Sequence, residues 1–224
     1  INYLKMMGFS LEEIASMLQH SSLTEAKRLL SKHLASCDKE ARLLAERRES
    51  IVEWVELVDE ANMVLRLRPT TVSIRYLPSR ELLCLRGRFS GNFAESIVSL
   101  DFASYVQGLD NAICGPVILG FDTVEDAMLS ASGGRECDMR MLQKPIRPIE
   151  PQNNWIQPEG MYLSTYHVGA FENMGDAYQR LLGFARENGY KVVGPAIERF
   201  VSDFWTTYNP DLFVVEILLL TETE

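Results

Sequence analysis

Apolar residues in the first third of the chain recur every three or four positions, the spacing of helices that bury one face. A cluster of Leu4, Met7 and Phe9 closes a short first helix. Ser10 then precedes Leu11, Ile14, Ala15 and Leu18, with Glu13 three residues after it, a capping box that opens a second helix. Leu23, Ala26, Leu30 and Leu34 predict a further helix over residues 23–34. A long helix is predicted from Ser36 to Leu67, where a heptad register fits: Leu34, Ala41, Arg48, Val55 and Asn62 take one core position, and Cys37, Leu44, Ile51, Val58 and Leu65 the other. A helix of this length needs a partner for its apolar stripe, so the direct inference is a homodimer through a coiled coil. Packing of the stripe on the chain's own C-terminal part is the alternative.

After Pro69 the pattern changes to strands alternating with helices, and it repeats. The first half reads as strands over 72–76 and 82–88, a helix over 92–107 ended by Gly108, and strands over 116–121 and 137–142. The second half reads as a strand over 161–167, a helix over 174–188 ended by Gly189, and strands over 196–204 and 213–220. Each half carries Gly-Pro after its helix, Gly115-Pro116 and Gly194-Pro195. This offset makes Leu119 the counterpart of Glu198, Phe121 of Phe200 and Cys137 of Glu216, the mark of an internal duplication. Residues 144–158, rich in proline, read as an extended linker in which Trp155 either folds over a groove or covers the core. The fold class is α+β: residues 1–34 form N-terminal helices, 35–68 a dimerisation helix, and 69–224 a duplicated βαββ domain.

The chemistry gathers in residues 189–205, which leave a helix, turn at Gly194-Pro195 and enter a strand. Alternation places Ala196, Glu198, Phe200 and Ser202 on one face, with Ile197, Arg199 and Val201 on the other. Glu198 is thus a carboxylate among apolar neighbours, with Phe204 and Trp205 close behind. Glu216, inside a hydrophobic run, is a second. Such a group is costly unless paired or solvated. An organic cation held between aromatic rings would repay that cost; so would an arginine partner or a strand edge facing water.

The totals narrow the field. The chain has 224 residues, 46% of them hydrophobic, and a net charge of −9. Residues 1–68 hold 10 Lys+Arg and 11 Asp+Glu, and residues 69–224 hold 12 and 20. The acidic C-terminal part suits cations better than phosphates, so DNA binding by this chain alone is expected to be weak or absent. Cys37, Cys84, Cys114 and Cys137 match neither a disulfide framework nor a metal knuckle and read as reduced thiols of a cytoplasmic protein. The histidines, His20, His33 and His167, are scattered. No catalytic triad, metal site or cofactor motif stands out. No stretch is long and apolar enough to span a bilayer, and no signal peptide opens the chain. The first residue is Ile rather than Met, which points to a fragment or a processed chain.

The run from Leu4 to Leu18, LKMMGFSLEEIASML, resembles the segment after the winged helix of MerR-family transcription regulators, whose helix-turn-helix would precede Ile1 and is not in this chain. Those regulators dimerise through an antiparallel coiled coil at the position of the long helix. The later runs YHVGAFENMGDAYQRLL (166–182), ENGY (187–190), GPAIE (194–198) and PDLFVVE (210–216) resemble the GyrI-like effector-binding domain. Together they resemble the BmrR-like multidrug-sensing regulators. The resemblance implies a groove between the repeats that holds a small, lipophilic cationic effector, with Glu198 recognising charge and Glu216 a second carboxylate. Tyr166, Phe200, Trp205, Tyr208 and Phe213 are the ring candidates by position. Promoter DNA and RNA polymerase are implied partners of the full-length protein only. Two other functions are open: hydrolysis of small electrophiles, as in some standalone GyrI-like domains, and inhibition of a protein partner through an acidic surface.

Overall fold

The computed structural model describes residues 2–19, 22–131 and 136–223, so His20 lies outside them. The chain packs as two units, residues 1–49 and 50–224. In the first unit, helix α1 (Asn2–Met6) leads to α2 (Leu11–Gln19). The capping box forms as the sequence predicts: the Ser10 amide donates to Glu13 Oε2 at 2.8 Å, and the Glu13 amide to Ser10 Oγ at 3.2 Å. His33 stacks on Phe9 at 4.2 Å between ring centroids, and its Nε2 meets the Met7 carbonyl at 2.9 Å.

Helix α3 runs unbroken from Leu23 to Leu67. The two helices expected over 23–34 and 36–67 are one. Ser36 opens no new helix; its hydroxyl reaches Glu40 at 3.4 Å along the same helix, and no Gly or Pro interrupts the run. Arg68, at φ 45°, ends α3 in the left-handed conformation ahead of Pro69. In the second unit α3 presents two stripes. Leu57, Ala61 and Val64 are buried against Val201 and Val214 of the chain's own sheet. Ile51, Val55 and Val58, on the heptad seam, stay exposed. Of the two fates weighed for the apolar residues of this helix, packing on the chain's own sheet is met by one face, while the heptad seam faces outward.

The remaining strands are β1 (Ser73–Leu77), β2 (Arg80–Phe89), β3 (Val117–Phe121), β4 (Cys137–Gln143), β5 (Asn154–Gln157), β6 (Gly160–Val168), β7 (Tyr190–Ser202) and β8 (Val214–Thr223). They form one antiparallel sheet in the order β1-β6-β8-β7-β3-β4-β2-β5. The order is palindromic under the duplication: β2, β3 and β4 repeat as β6, β7 and β8. The outer strands are exchanged, since β1, ahead of the first half, covers the edge of the second half's β6, while β5 covers the first half's β2. The stretch read as a linker therefore contributes the edge strand β5.

Helices α4 (Phe93–Ile97), α5 (Leu100–Gly108), α6 (Val124–Ala131) and α7 (Gly175–Glu187) complete the unit. The single helix expected over 92–107 is split because Ser99 restarts it, its hydroxyl accepting from the Phe102 amide at 3.1 Å. Helix α6 was not anticipated; Thr123 caps it through the Asp126 amide at 3.1 Å. The main core, which includes Phe93, Ala127, Tyr178 and Leu181, lies between these helices and one face of the sheet. The other face carries Ile118, Leu142, Ile197 and Leu218.

Two local expectations need correction. Gly194-Pro195 is no turn before the strand: β7 has already begun at Tyr190, and the pair sits in a bulge where the register with β8 shifts, with Gly194 at φ 137°. Nor does Cys137 match Glu216. Leu119 pairs with Met141 as Glu198 pairs with Ile217, and Gly120 with Arg140 as Arg199 with Glu216. The counterpart of Glu216 is Arg140. Helix α6 lengthens the β3–β4 connection, which a constant offset from Gly-Pro does not register.

Candidate functional site

Glu198 stands mid-strand on β7, directly opposite Leu119 on β3 and Ile217 on β8. Its face is the helix-covered one, shared with Ala196 and Phe200. Tyr178 projects from α7 and donates its hydroxyl to Glu198 Oε1 at 2.7 Å. Neither residue has any exposed surface, and Glu198 Oε2 is buried with no hydrogen-bond partner among the described residues. Burial pushes the Glu198 carboxyl up to about 8, against a smaller opposing effect of the Tyr178 hydrogen bond. The Tyr178 phenol is raised as well, by burial and by Glu198 beside it. The Cys137 thiol, raised to about 11 chiefly by burial, also feels Glu198 and is unsuited to act as a thiolate at neutral pH.

Rings pack beside this pair. Phe171 is the hub: Phe213 stacks on it at 4.4 Å, and Phe200 and Phe93 lie at 5.1 and 5.6 Å. Phe200 and Phe213 therefore share the core that holds Glu198. Trp205 sits at the edge of that core, half exposed, its indole donating to the Ile97 carbonyl at 3.2 Å. Ile97 and Trp205 also border an apolar hollow of about 330 Å³ completed by Trp54, Phe102 and Val117. Tyr208 is 89% exposed and touches none of this.

Glu216 and Tyr166 face the opposite side of the sheet. Glu216 is almost fully buried and well satisfied: Ser164 donates to Oε1 at 2.7 Å, Arg199 Nε to Oε2 at 2.8 Å, and Arg75 pairs with Oε1. Arg199 also pairs with Glu60 of α3, which accepts from the Tyr166 hydroxyl at 2.8 Å. Glu60, Arg75, Arg199 and Glu216 line a charged cavity of about 340 Å³ between α3 and the sheet; Tyr166 does not. The two glutamates, read from sequence as members of one site, are thus separated by the sheet, one protonatable and short of partners, the other a settled ion-pair centre.

Sequence reasoning missed Tyr178, Phe171 and Phe93. A signal for Tyr178 existed: it lies on the apolar face of α7 with Leu181, and a buried tyrosine hydroxyl must find a partner. Among the described residues no group of three or more His, Cys, Asp or Glu is placed to hold a metal ion.

Residues 143–220 match the sequence profile of the GyrI-like small molecule binding domain. Over those residues the fold is that of a GyrI-like domain. The palindromic strand order extends that plan over the half that precedes the matched residues. All of this chain and 81% of the other superpose on a cryo-EM structure of an EcmrR–DNA complex in EcmrR-RPo, at a TM-score of 0.56 and 14% identity. A crystal structure of the EcmrR C-terminal domain gives 0.58 at 12% identity, covering 69% of this chain and 98% of that one. A hydrolase from Listeria innocua gives 0.48 at 14%, covering 68% and 92%. No curated protein matches the sequence. No helix of the described residues is long and apolar enough to cross a membrane.

Proposed function

We propose that this chain is the ligand-sensing part of a cytoplasmic, dimeric transcription regulator of the MerR class, and that its effector is a lipophilic organic cation read by Glu198. One observation carries the reading: a fully buried carboxyl with a free oxygen, pushed by burial up to about 8, in the core that holds a set of phenylalanine rings. A cation entering that core replaces the proton on Glu198 and stacks on the rings, so the charge that costs most when alone becomes paired. Because Glu198 has no exposed surface, entry requires the core to part. Trp205, latched to Ile97 beside the hollow, stands where that parting would begin. The superposition on EcmrR bound to DNA supports a regulator's architecture for the whole chain, and in the full-length protein promoter DNA and RNA polymerase are the partners this implies.

A thermal-shift titration with tetraphenylphosphonium tests the reading. At roughly 100 times Kd the wild type is expected to gain about 2.7 kcal/mol, and Glu198→Gln to lose most of that gain. Equal stabilisation by a neutral tetraphenyl isostere, or no loss in the variant, overturns it. Dimerisation is checked apart from ligand. Val55→Glu on the exposed seam of α3 is expected to turn a sedimenting dimer into a monomer without unfolding it; an unchanged dimer places the interface elsewhere.

A hydrolase is the second reading, favoured by the 2.7 Å Tyr178–Glu198 hydrogen bond. An ionised Glu198 would activate water as general base while Tyr178 steadies the departing oxygen. Turnover of a small strained electrophile, abolished in Glu198→Gln, would select it over the sensor.

A further inference from the structure

The first half of the sheet holds a feature that neither reading uses. On the face away from α6 and α7, Arg86 of β2 lies directly opposite Arg140 of β4. Directly opposed side chains in an antiparallel pair sit about 5 Å apart, and like charges there repel. Arg140 is 8% exposed, and its Nε is buried with no acceptor. Asp122 takes only Nη1, at 2.5 Å. The Trp155 ring lies 6.0 Å from the guanidinium carbon, at the outer reach of a cation–π contact. Arg86 has no side-chain hydrogen bond or ion pair among the described residues. Arg88, next along the same face, makes only loose pairs with Glu136 and Asp138, at 3.4 and 3.8 Å.

These side chains line a cavity of about 340 Å³, with Arg86, Arg88 and Arg140 set against Asp122 and Asp138. Among the lining residues the balance is one positive charge, offset by Glu136 on Arg88 outside the lining, in a chain whose net charge is −9. The duplication sharpens the point. The register makes Arg140 the counterpart of Glu216, and Arg86 the counterpart of Tyr166. In the second half the position is filled by the chain's own carboxylate, which draws in Arg199, Arg75 and Ser164. In the first half an arginine stands there, facing another arginine.

We propose that the Arg86–Arg140 cavity is a second ligand site, for a small molecule bearing a phosphate or carboxylate group. The oxyanion bridges the opposed guanidinium groups, takes the orphaned N–H of Arg140 and ends their repulsion, as a bidentate acceptor does. The cavity is larger than a bare ion, so the rest of the ligand lies along Arg88 and Gly87. The site is separate from the Glu198 core, and its failure would leave that reading untouched.

The test is a titration of the whole chain with inorganic phosphate and, separately, with citrate, at constant ionic strength balanced by chloride. Unfolding temperature and calorimetric heat are read together. The wild type is expected to show a saturable rise in unfolding temperature with at least one of the two; response to phosphate alone assigns a phosphate-bearing ligand, and to citrate alone a carboxylate-bearing one. Arg86→Gln keeps Arg140 paired with Asp122 and removes the repulsion. It should therefore fold at least as stably as wild type without ligand, while binding the anion at least tenfold more weakly. Lys191→Gln, far along the sheet, should bind as wild type does. No rise beyond the chloride control, or an Arg86→Gln response equal to wild type, overturns the proposal.

Discussion

Replacing Glu216 by alanine is expected to lower the free energy of unfolding by about 3–5 kcal/mol, the usual result of removing one partner from a buried ion pair. Glu216 is 1% exposed and accepts from Ser164 and Arg199 while pairing with Arg75. Its loss leaves Arg199, only 18% exposed in its side chain, held by Glu60 alone on one side and strips the buried Ser164 hydroxyl of its acceptor. Arg75, nearly half exposed, recovers water instead, so Arg75→Ala should cost about 1 kcal/mol or less. Urea unfolding at pH 7 with unchanged m-values measures both. A loss below about 1 kcal/mol for Glu216→Ala would mean that water reaches the network and that Glu216 is free to serve as a ligand carboxylate after all.

The second large effect is on pH. Glu198 carries a proton more tightly when folded, at about 8, than an unfolded glutamate does near 4.5. The folded state thus binds more protons between those values, and stability falls as pH rises through the window, by up to about 1.4 kcal/mol per pH unit. Above about pH 8 this contribution is gone. Asp203, raised to about 6 by burial despite a hydrogen bond from the Trp205 amide, adds a fall of the same sign between about pH 4 and 6. His167, lowered chiefly by burial, acts oppositely: its contribution is present above the ordinary histidine range and is lost as pH drops through it. Between pH 6.5 and 8 the fall set by Glu198 outweighs the smaller, opposite trend of His167. The wild type is therefore expected to lose stability over that interval, and Glu198→Gln to hold level or rise slightly. Chemical denaturation at half-unit pH steps checks this; equal slopes in the two proteins would place an ordinary, ionised carboxylate at position 198.

The duplicated plan and the equivalence of Leu119 with Glu198 could be read from the sequence because both depend on periodicity and on a repeated Gly-Pro offset. That the two also stand face to face is set by the β3–β7 register, which no offset predicts. What the sequence hid depends on contacts distant along the chain. Alternation correctly sets Glu198 and Arg199 on opposite faces, but it does not tell which face the helices cover, and Glu216 was grouped with Glu198 by chemistry when the register aligns it with Arg199. Tyr166 went with it to that side, and Tyr208 lies in the open. Phe171 belongs to a short 3-10 turn, Phe171–Asn173, with no period to betray it. Strand β5 was obscured by prolines on either side of a four-residue edge. In α3, a heptad pattern revealed the outward stripe and left the inward one, Leu57, Ala61 and Val64, unremarked.

The opposition of Leu119 and Glu198 has one more consequence. Each is the repeat counterpart of the other, so the local twofold of the sheet passes between them. Whatever stands on that axis exists once per chain, not once per repeat. A leucine on one strand and a glutamate on the other give the paired halves a single acid between them, so a duplication that would otherwise place two equal side chains about the axis makes it polar on one side and apolar on the other.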